Sequence, residues 1–137
     1  MIALGLPSGT KWSCCNAGAS KPEDYGGYYE WGQIADAPTD AQQVELKHYC
    51  TSVWTTLNGV NGRLFTGPNG GQVFLPAAGY HSRDKFYNVG SNGNYWSSDT
   101  FYKDGYYAYG LIFYSKGVNF FTTNALDFGY SVRPVAR

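Results

Sequence analysis

The sequence has little of what most activities are read from. Histidine occurs twice and cysteine three times in 137 residues, as Cys14, Cys15 and Cys50. There is no C-x-x-C pair and no Cys/His array at zinc spacing, which argues against a structural zinc site. The odd cysteine count leaves two possibilities open, one disulfide plus a free thiol or three thiols. Charged residues make up only 15% of the chain and cancel to a formal net charge of zero. A nucleic-acid binder normally carries a basic face, so that class is set aside. No apolar run approaches the roughly 20 residues that cross a bilayer, so membrane insertion is not expected. The opening "MIALGLPSGTKW" turns polar too soon for a secretory signal. That points to a chain made without one, trimmed of it, or internal to a longer protein.

Catalytic signatures are equally scarce. His48 falls late in a predicted helix, where a cation suits the negative end of the helix dipole. His81 sits in "GYHSRDK" beside Asp84, with no nucleophile motif near it. It reads as a loop residue or a ligand contact. Glu23 and Asp24 are adjacent on one extended segment and point apart, whereas glycosidase carboxylates must face each other across a sugar. "GPNGGQ" lacks the Lys-Ser/Thr ending of a phosphate loop, and no run fits a calcium loop. The chain is therefore read as non-catalytic, with no metal and no cofactor expected.

Aromatic residues and glycine are abundant: eighteen Gly, thirteen Tyr and eight Phe. This composition favours short strands and many turns over helices. The length fits a single domain over 1–137, enough to bury about two-thirds of its unfolded surface. One segment reads as helix, "PTDAQQVELKHYC". Thr39 is its N-cap, with Gln42 three residues on as a capping box, and it ends near Cys50. Ala41, Val44, Leu46 and Cys50 are its expected core face. "SVWTTL", "RLFTG" and "QVFLPAAG" read as strands separated by the Asn/Gly turns "NGVNG" and "GPNGG". "YYAYGLIFYSKGVNFFTT" reads as a hairpin turning at Ser115–Gly117, and "YSVRPVAR" as a terminal strand that Pro134 limits to an edge.

Side chains on a strand alternate faces. Tyr109, Leu111 and Phe113 are expected in the core, with Trp12, Trp31, Trp54 and Trp96. Ala108, Gly110, Ile112 and Tyr114 take the other face, with Ile112 and Tyr114 at the surface. The Phe101–Tyr107 stretch, broken by Lys103, Asp104 and Gly105, reads as an exposed loop. Tyr combines large amphipathic area with few torsions to freeze, while Asn, Ser and Gly adapt their hydrogen bonds. That palette suits recognition.

Long phrases of the chain resemble a known bacterial family. "LGLPSGTKWSCCNAGASKPEDYGGYYEWG" (Leu4–Gly32), "WTTLNGVNGRLFTGPNGGQVFLPAAGY" (Trp54–Tyr80), "NYWSS" and "GYSVRPV" are similar to elements of the major paralogous domain, or FISUMP. The resemblance implies an α+β, C-type-lectin-like fold, with one main helix early and a twisted antiparallel sheet with long loops late. The segment between "YYEWG" and the helix start is shorter than is usual in that family. Cys14 stands where Thr is commoner, so the resemblance implies a Cys15–Cys50 pair with Cys14 free. The calcium-dependent sugar motifs of C-type lectins do not occur, and neither calcium nor a sugar ligand is carried over.

The last third also resembles variable proteins of diversity-generating retroelements, which hold a mutable stretch inside a "YWSS … VRPV" frame. Randomised Asn codons in those systems yield Tyr, Asp, Phe, Ser, Ile and similar residues. The positions this implies for ligand binding are Phe101, Tyr102, Asp104, Tyr106, Tyr107, Gly110, Ile112, Tyr114, Asn119, Phe121 and Thr123. The expected function is a ligand-binding or display domain on a cell surface, secreted, or on a phage particle, with a protein or glycan partner. Two alternatives stand beside it: a structural module of bacterial surface proteins, and an enzyme of the formylglycine-generating type.

Overall fold

The structure is a computed structural model that describes residues 1–100 and 106–136, with the side chains of Phe120 and Phe121 also outside the description. In chain order the elements are β1 (Ile2–Ala3), β2 (Lys11–Trp12), α1 (Asp40–Tyr49), β3 (Thr51–Leu57), β4 (Val60–Thr66), β5 (Gln72–Pro76), β6 (Tyr80–Ser82), β7 (Lys85–Tyr87), β8 (Gly93–Thr100), β9 (Tyr107–Tyr114), β10 (Gly117–Ala125) and β11 (Val135–Ala136). The strands form separate small antiparallel sheets, ordered β1-β2-β11, β10-β9-β8, β3-β4-β5 and β6-β7.

This corrects the expected α+β, C-type-lectin-like layout. Strand accounts for 46% of the structure and helix for 8%, with one short helix. The physical reason is in the segment lengths. Asn/Gly and other turns cut the β-branched and aromatic runs into short strands, and ten residues of helix supply no second layer. Of the expected helix face only Leu46 is buried; Ala41 is exposed, and Val44 and Cys50 are half-buried. Gln43 is the other buried position, because its amide donates to the Tyr95 and Trp96 carbonyl oxygens of β8 at 3.3 Å each.

The helix start itself follows the local sequence. Thr39 Oγ1 accepts from Gln42 N at 3.1 Å, and Gln42 Oε1 accepts from Thr39 N at 2.8 Å. Asp99 Oδ2 accepts from Asp40 N at 2.6 Å, joining the helix to the end of β8. Asp40 is held above its ordinary carboxyl value of 3.8 by burial first and by Asp99 second. Because folding raises this value, ionising Asp40 costs the native state. Its contribution is fully favourable below 3.8 and is lost as pH rises through the folded value. The urea midpoint of Asp40→Asn, measured against wild type, is therefore expected to climb between pH 3 and pH 7. A difference that stays constant or falls would show that folding does not raise the Asp40 pKa.

The β8-β9-β10 sheet is covered on both faces. Tyr95, Leu111 and Phe113 point into a cluster with Leu4, Leu46, Phe65 and Leu75. Trp96 and Ala108 point the other way, into a second cluster with Tyr130 and Val132, flanked by Tyr29, Trp31, Tyr80 and Phe128. Leu111, Phe113, Trp12 and Trp96 are thus core as expected, while Tyr109, Trp31 and Trp54 are only half-buried. A buried polar network joins the first cluster through Tyr95. Arg133 donates Nε to Asn16 Oδ1 at 2.8 Å, Nη2 to the Phe74 carbonyl at 2.7 Å and Nη1 to the Ser13 carbonyl at 3.3 Å. Asn16 donates to Tyr95 Oη at 3.1 Å, and Tyr95 donates to the Pro76 carbonyl at 2.8 Å.

The cysteines differ from the implied pairing. Cys14 and Cys15 are bonded to each other, and Cys50 is a free thiol. Cys50 is the helix C-cap and lies against the first cluster. Burial, then the nearby Glu45 charge, pushes its thiol up to about 11, so it remains protonated and unreactive at neutral pH.

Candidate functional site

The clearest surface feature grows from a hairpin that the sequence hides. β6 and β7 pair Tyr80↔Tyr87, His81↔Phe86 and Ser82↔Lys85, leaving Arg83 and Asp84 as a two-residue turn. Both have positive φ, 50° and 66°, as the tightest hairpin turn requires. Asn58 and Gly59 make the β3-β4 turn with φ 49° and 81°. Asn-Gly announces that geometry from sequence, but Arg-Asp does not. "HSRDKF" therefore reads as a polar loop until its pairing is seen.

Pairing sorts the hairpin's rings onto two faces. On one, Tyr87 stacks on Tyr80 at 5.1 Å and 19° between planes, and Phe128 lies on Tyr80 at 5.4 Å and 23°. Tyr130 meets Tyr80 edge-on at 5.8 Å and stacks on Trp96 at 4.3 Å. An unbroken series of ring contacts thus runs from Tyr87, 40% exposed, down to the core Trp96. On the other face Phe86, 60% exposed, is braced by His81 at 4.8 Å and Tyr28 at 5.1 Å. Tyr28 is anchored by its hydroxyl, which donates to the Ala78 carbonyl at 2.6 Å. Burial, then Tyr25, raises the pKa of that hydroxyl. His81 N and Gly129 N each donate to the other residue's carbonyl, at 2.9 and 2.8 Å, tying the hairpin to the chain end.

Two shallow concavities lie beside the turn at residues 126–128. One, of about 350 Å³, is lined by Tyr80, Ser82, Arg83, Tyr87 and Phe128. The other, of about 370 Å³, is lined by Tyr106, Tyr107, Ala125, Leu126 and Asp127. The turn is held in place by Leu126 N donating to the Tyr106 carbonyl and Trp31 N to the Leu126 carbonyl, both at 3.1 Å. Tyr106 is 73% exposed and Tyr107 43%.

The expected site residues do not form one patch. Phe101, Tyr102 and Asp104 lie outside the described residues, as does the side chain of Phe121. Tyr106 and Tyr107 share the second concavity. Ile112, Tyr114 and Asn119 gather at the far end of the β9-β10 hairpin, where Ile112 faces Asn119. At about 3.3 Å per residue, Tyr114 is roughly 23 Å along the strand from Tyr107. Gly110, expected at the surface, is buried, and a side chain there would meet the Tyr95 carbonyl oxygen at 2.8 Å. Thr123 is also displaced. A bulge between Asn119 and Thr122 shifts the register, so Thr122 faces Gly110 while Thr123 faces Tyr109 on the opposite side. Tyr80, Tyr87, Phe86, Arg83 and Phe128 escape a reading of the sequence altogether. For Tyr80, Phe86, Tyr87 and Arg83 the only signal there is the spacing of aromatics on either side of "SRD", and Phe128, far along the chain, has none.

A family model described as a domain of unknown function (DUF8237) matches residues 28–135. No curated protein and no solved structure matches the chain. The matched span starts at Tyr28 and takes in α1, both concavities and every ring of the hairpin array.

Proposed function

The chain belongs to the DUF8237 domain family, and we propose that it is a non-catalytic ligand-binding domain. Its contact surface would be the exposed aromatics on either side of the turn at 126–128. The observation that carries this reading is Tyr106 and Tyr107, exposed on the wall of a concavity although large rings abound in the adjacent core. Exposed rings held by a folded β scaffold lose little freedom on binding, and Tyr offers both an apolar face and a hydroxyl. The braced Tyr87 ring extends the same chemistry to the neighbouring concavity. The resemblances to the major paralogous domain and to retroelement variable proteins support a partner met at a cell surface or on a phage particle, of protein or glycan class.

A diversified surface is the stronger form of this reading. It draws support from Ile112, Tyr114 and Asn119, which share one accessible end of the hairpin, and loses it at Gly110, which is enclosed. Sequencing the codons for Tyr95 through Arg137 across many isolates decides this. Variation confined to Phe101, Tyr102, Asp104, Tyr106, Tyr107, Ile112, Tyr114, Asn119, Phe121 and Thr123, with Trp96, Leu111, Phe113 and Val132 constant, makes it a diversified receptor, and uniform or evenly scattered variation removes that form alone.

The binding test pairs a glycan array with a random peptide-display library, both screened with the folded domain. Tyr106→Ala and Tyr107→Ala are expected to change stability by no more than about 0.5 kcal/mol, as exposed positions do. They should weaken a selected ligand at least tenfold, about 1.4 kcal/mol. Ligands that bind these variants as well as wild type would move the site elsewhere.

A further inference from the structure

Edge strands present unpaired N–H and C=O groups, a template for pairing with another chain, and folded proteins guard them. Most described edges here are guarded. β10 carries its bulge, β1 and β11 are two residues long, and β5 ends at Pro76. β7 has three residues and begins with Lys85. The outer side of β8 is bridged through Gly93 to Gly79 and through Tyr95 to Ser131. β3 has no such device. Its seven residues, TSVWTTL, include no charge, no Pro and no Gly, and they pair with β4 without a register shift. Val53 on it is 53% exposed.

The hairpin geometry fixes which groups of β3 point away. A two-residue turn makes Leu57↔Val60 a hydrogen-bonded pair, and bonded and non-bonded pairs then alternate along the ladder. Thr51, Val53, Thr55 and Leu57 therefore bond to β4, while Ser52, Trp54 and Thr56 turn their N–H and C=O groups outward. Among the described residues β3 makes no backbone hydrogen bond other than its ladder to β4. The outward groups are symmetric about Trp54.

We propose that β3 is a homodimer interface, in which two copies of this chain pair antiparallel about a twofold axis at Trp54. Trp54 then faces its own copy and Ser52 faces Thr56 of the partner, so each facing pair exchanges two N–H···O bonds. Val53 falls opposite the partner's Thr55 in a non-bonded pair, where side chains approach most closely, and its exposed isopropyl group is covered. No like charges meet, because β3 carries none. A second copy is the occupant because it brings a strand of the matching kind: its own TSVWTTL edge is equally uncharged and unguarded, and about an axis at Trp54 it offers outward groups at the same three positions. The inference is independent of the ligand-binding reading.

The test is sedimentation velocity on the whole chain from low to high micromolar concentration, with amide hydrogen exchange on the same samples. Val53→Lys places charge beside the twofold axis. Thr56→Pro deletes an outward N–H and spares the ladder to β4, as proline on an edge does. Wild type is expected to dimerise with the Ser52, Trp54 and Thr56 amides protected. Both variants should keep the wild-type circular dichroism, weaken dimerisation at least tenfold and lose that protection. A wild type that stays monomeric, a dimer that survives either substitution, or a dimer in which these amides exchange freely would overturn the proposal. The last outcome would place the contact on another surface.

Discussion

Replacing Arg133 with Met is expected to destabilise the domain by about 3 kcal/mol or more, a large share of the roughly 5–15 kcal/mol that holds a domain of this kind folded. Arg133 is 1% exposed, and burial lowers its pKa to about 10. It therefore stays charged at neutral pH, at a desolvation cost. That cost is offset by three charge-assisted donors, to Asn16, Phe74 and Ser13, each worth about 1.5–3 kcal/mol. Methionine relieves the buried charge but takes the donor from all three acceptors in the interior. Asn16 then holds Tyr95 less firmly, although burial keeps the Tyr95 hydroxyl protonated far above its ordinary value. The segment at 13–16, β5, β8 and the chain end all meet at this guanidinium, so the loss is not local. Lysine cannot reproduce a fork to three acceptors, and Arg133→Lys is expected to fail nearly as badly. Urea midpoints at unchanged slope measure the effect. A shift worth less than about 1 kcal/mol would show that the network is dispensable.

The second large effect is expected at Gly79, where the chain leaves the core to enter β6. Its φ is +65°, and a Cβ there would collide with the Tyr87 carbonyl oxygen and come within 2.7 Å of Val89 N. Both obstacles are backbone and cannot rotate aside. Left-handed strain of about 1–2 kcal/mol adds to overpacking of about 1–3 kcal/mol, so Gly79→Ala should cost about 2–5 kcal/mol. The damage is directed at the aromatic array, because Tyr87 is the residue displaced and Gly79 N also donates to the Asn92 carbonyl at 2.7 Å. The Tyr80–Tyr87 stack should loosen before the β3-β4-β5 sheet does. Aromatic ring-current shifts of Tyr80 and Tyr87, followed by NMR at temperatures below global unfolding, would show it. Unchanged shifts together with an unchanged melting temperature would mean that the backbone around Gly79 has room for a methyl group after all.

What can be read from the residues is what neighbours in sequence decide. Thr39 and Gln42 satisfy each other's backbone groups within one turn, so the helix start is legible. Asn58-Gly59 accepts positive φ without side-chain cost, so the first hairpin is legible too. Strand alternation correctly puts Leu111 and Phe113 inside. The same alternation fails for Gly110, since it names two faces but not what covers the second. There the cover is a cluster drawn from Trp96, Tyr130 and Val132, with Trp96 far from the last two in the chain. It fails again at Thr123, because a single extra residue in β10 reverses every side chain beyond it.

The candidate site is half legible for the same reason. Tyr106 and Tyr107 stand out in any reading of the last third, but Tyr80, Tyr87 and Phe128 become one surface only when a turn of Arg83 and Asp84 closes. Neither residue advertises that turn. The Cys14–Cys15 bond and the free Cys50 likewise depart from what the resemblance implies: the bond joins chain neighbours, and Cys50 is held at the helix C-cap against the first cluster. By itself, then, the sequence determined the strand-rich composition, the capped helix, the Asn-Gly turn and the surplus of tyrosine, all of which depend on local torsions and side-chain type. The tertiary structure alone decided which rings are buried, where the register slips and, among the described residues, which edge stays open, because each depends on packing between segments that the chain order keeps apart.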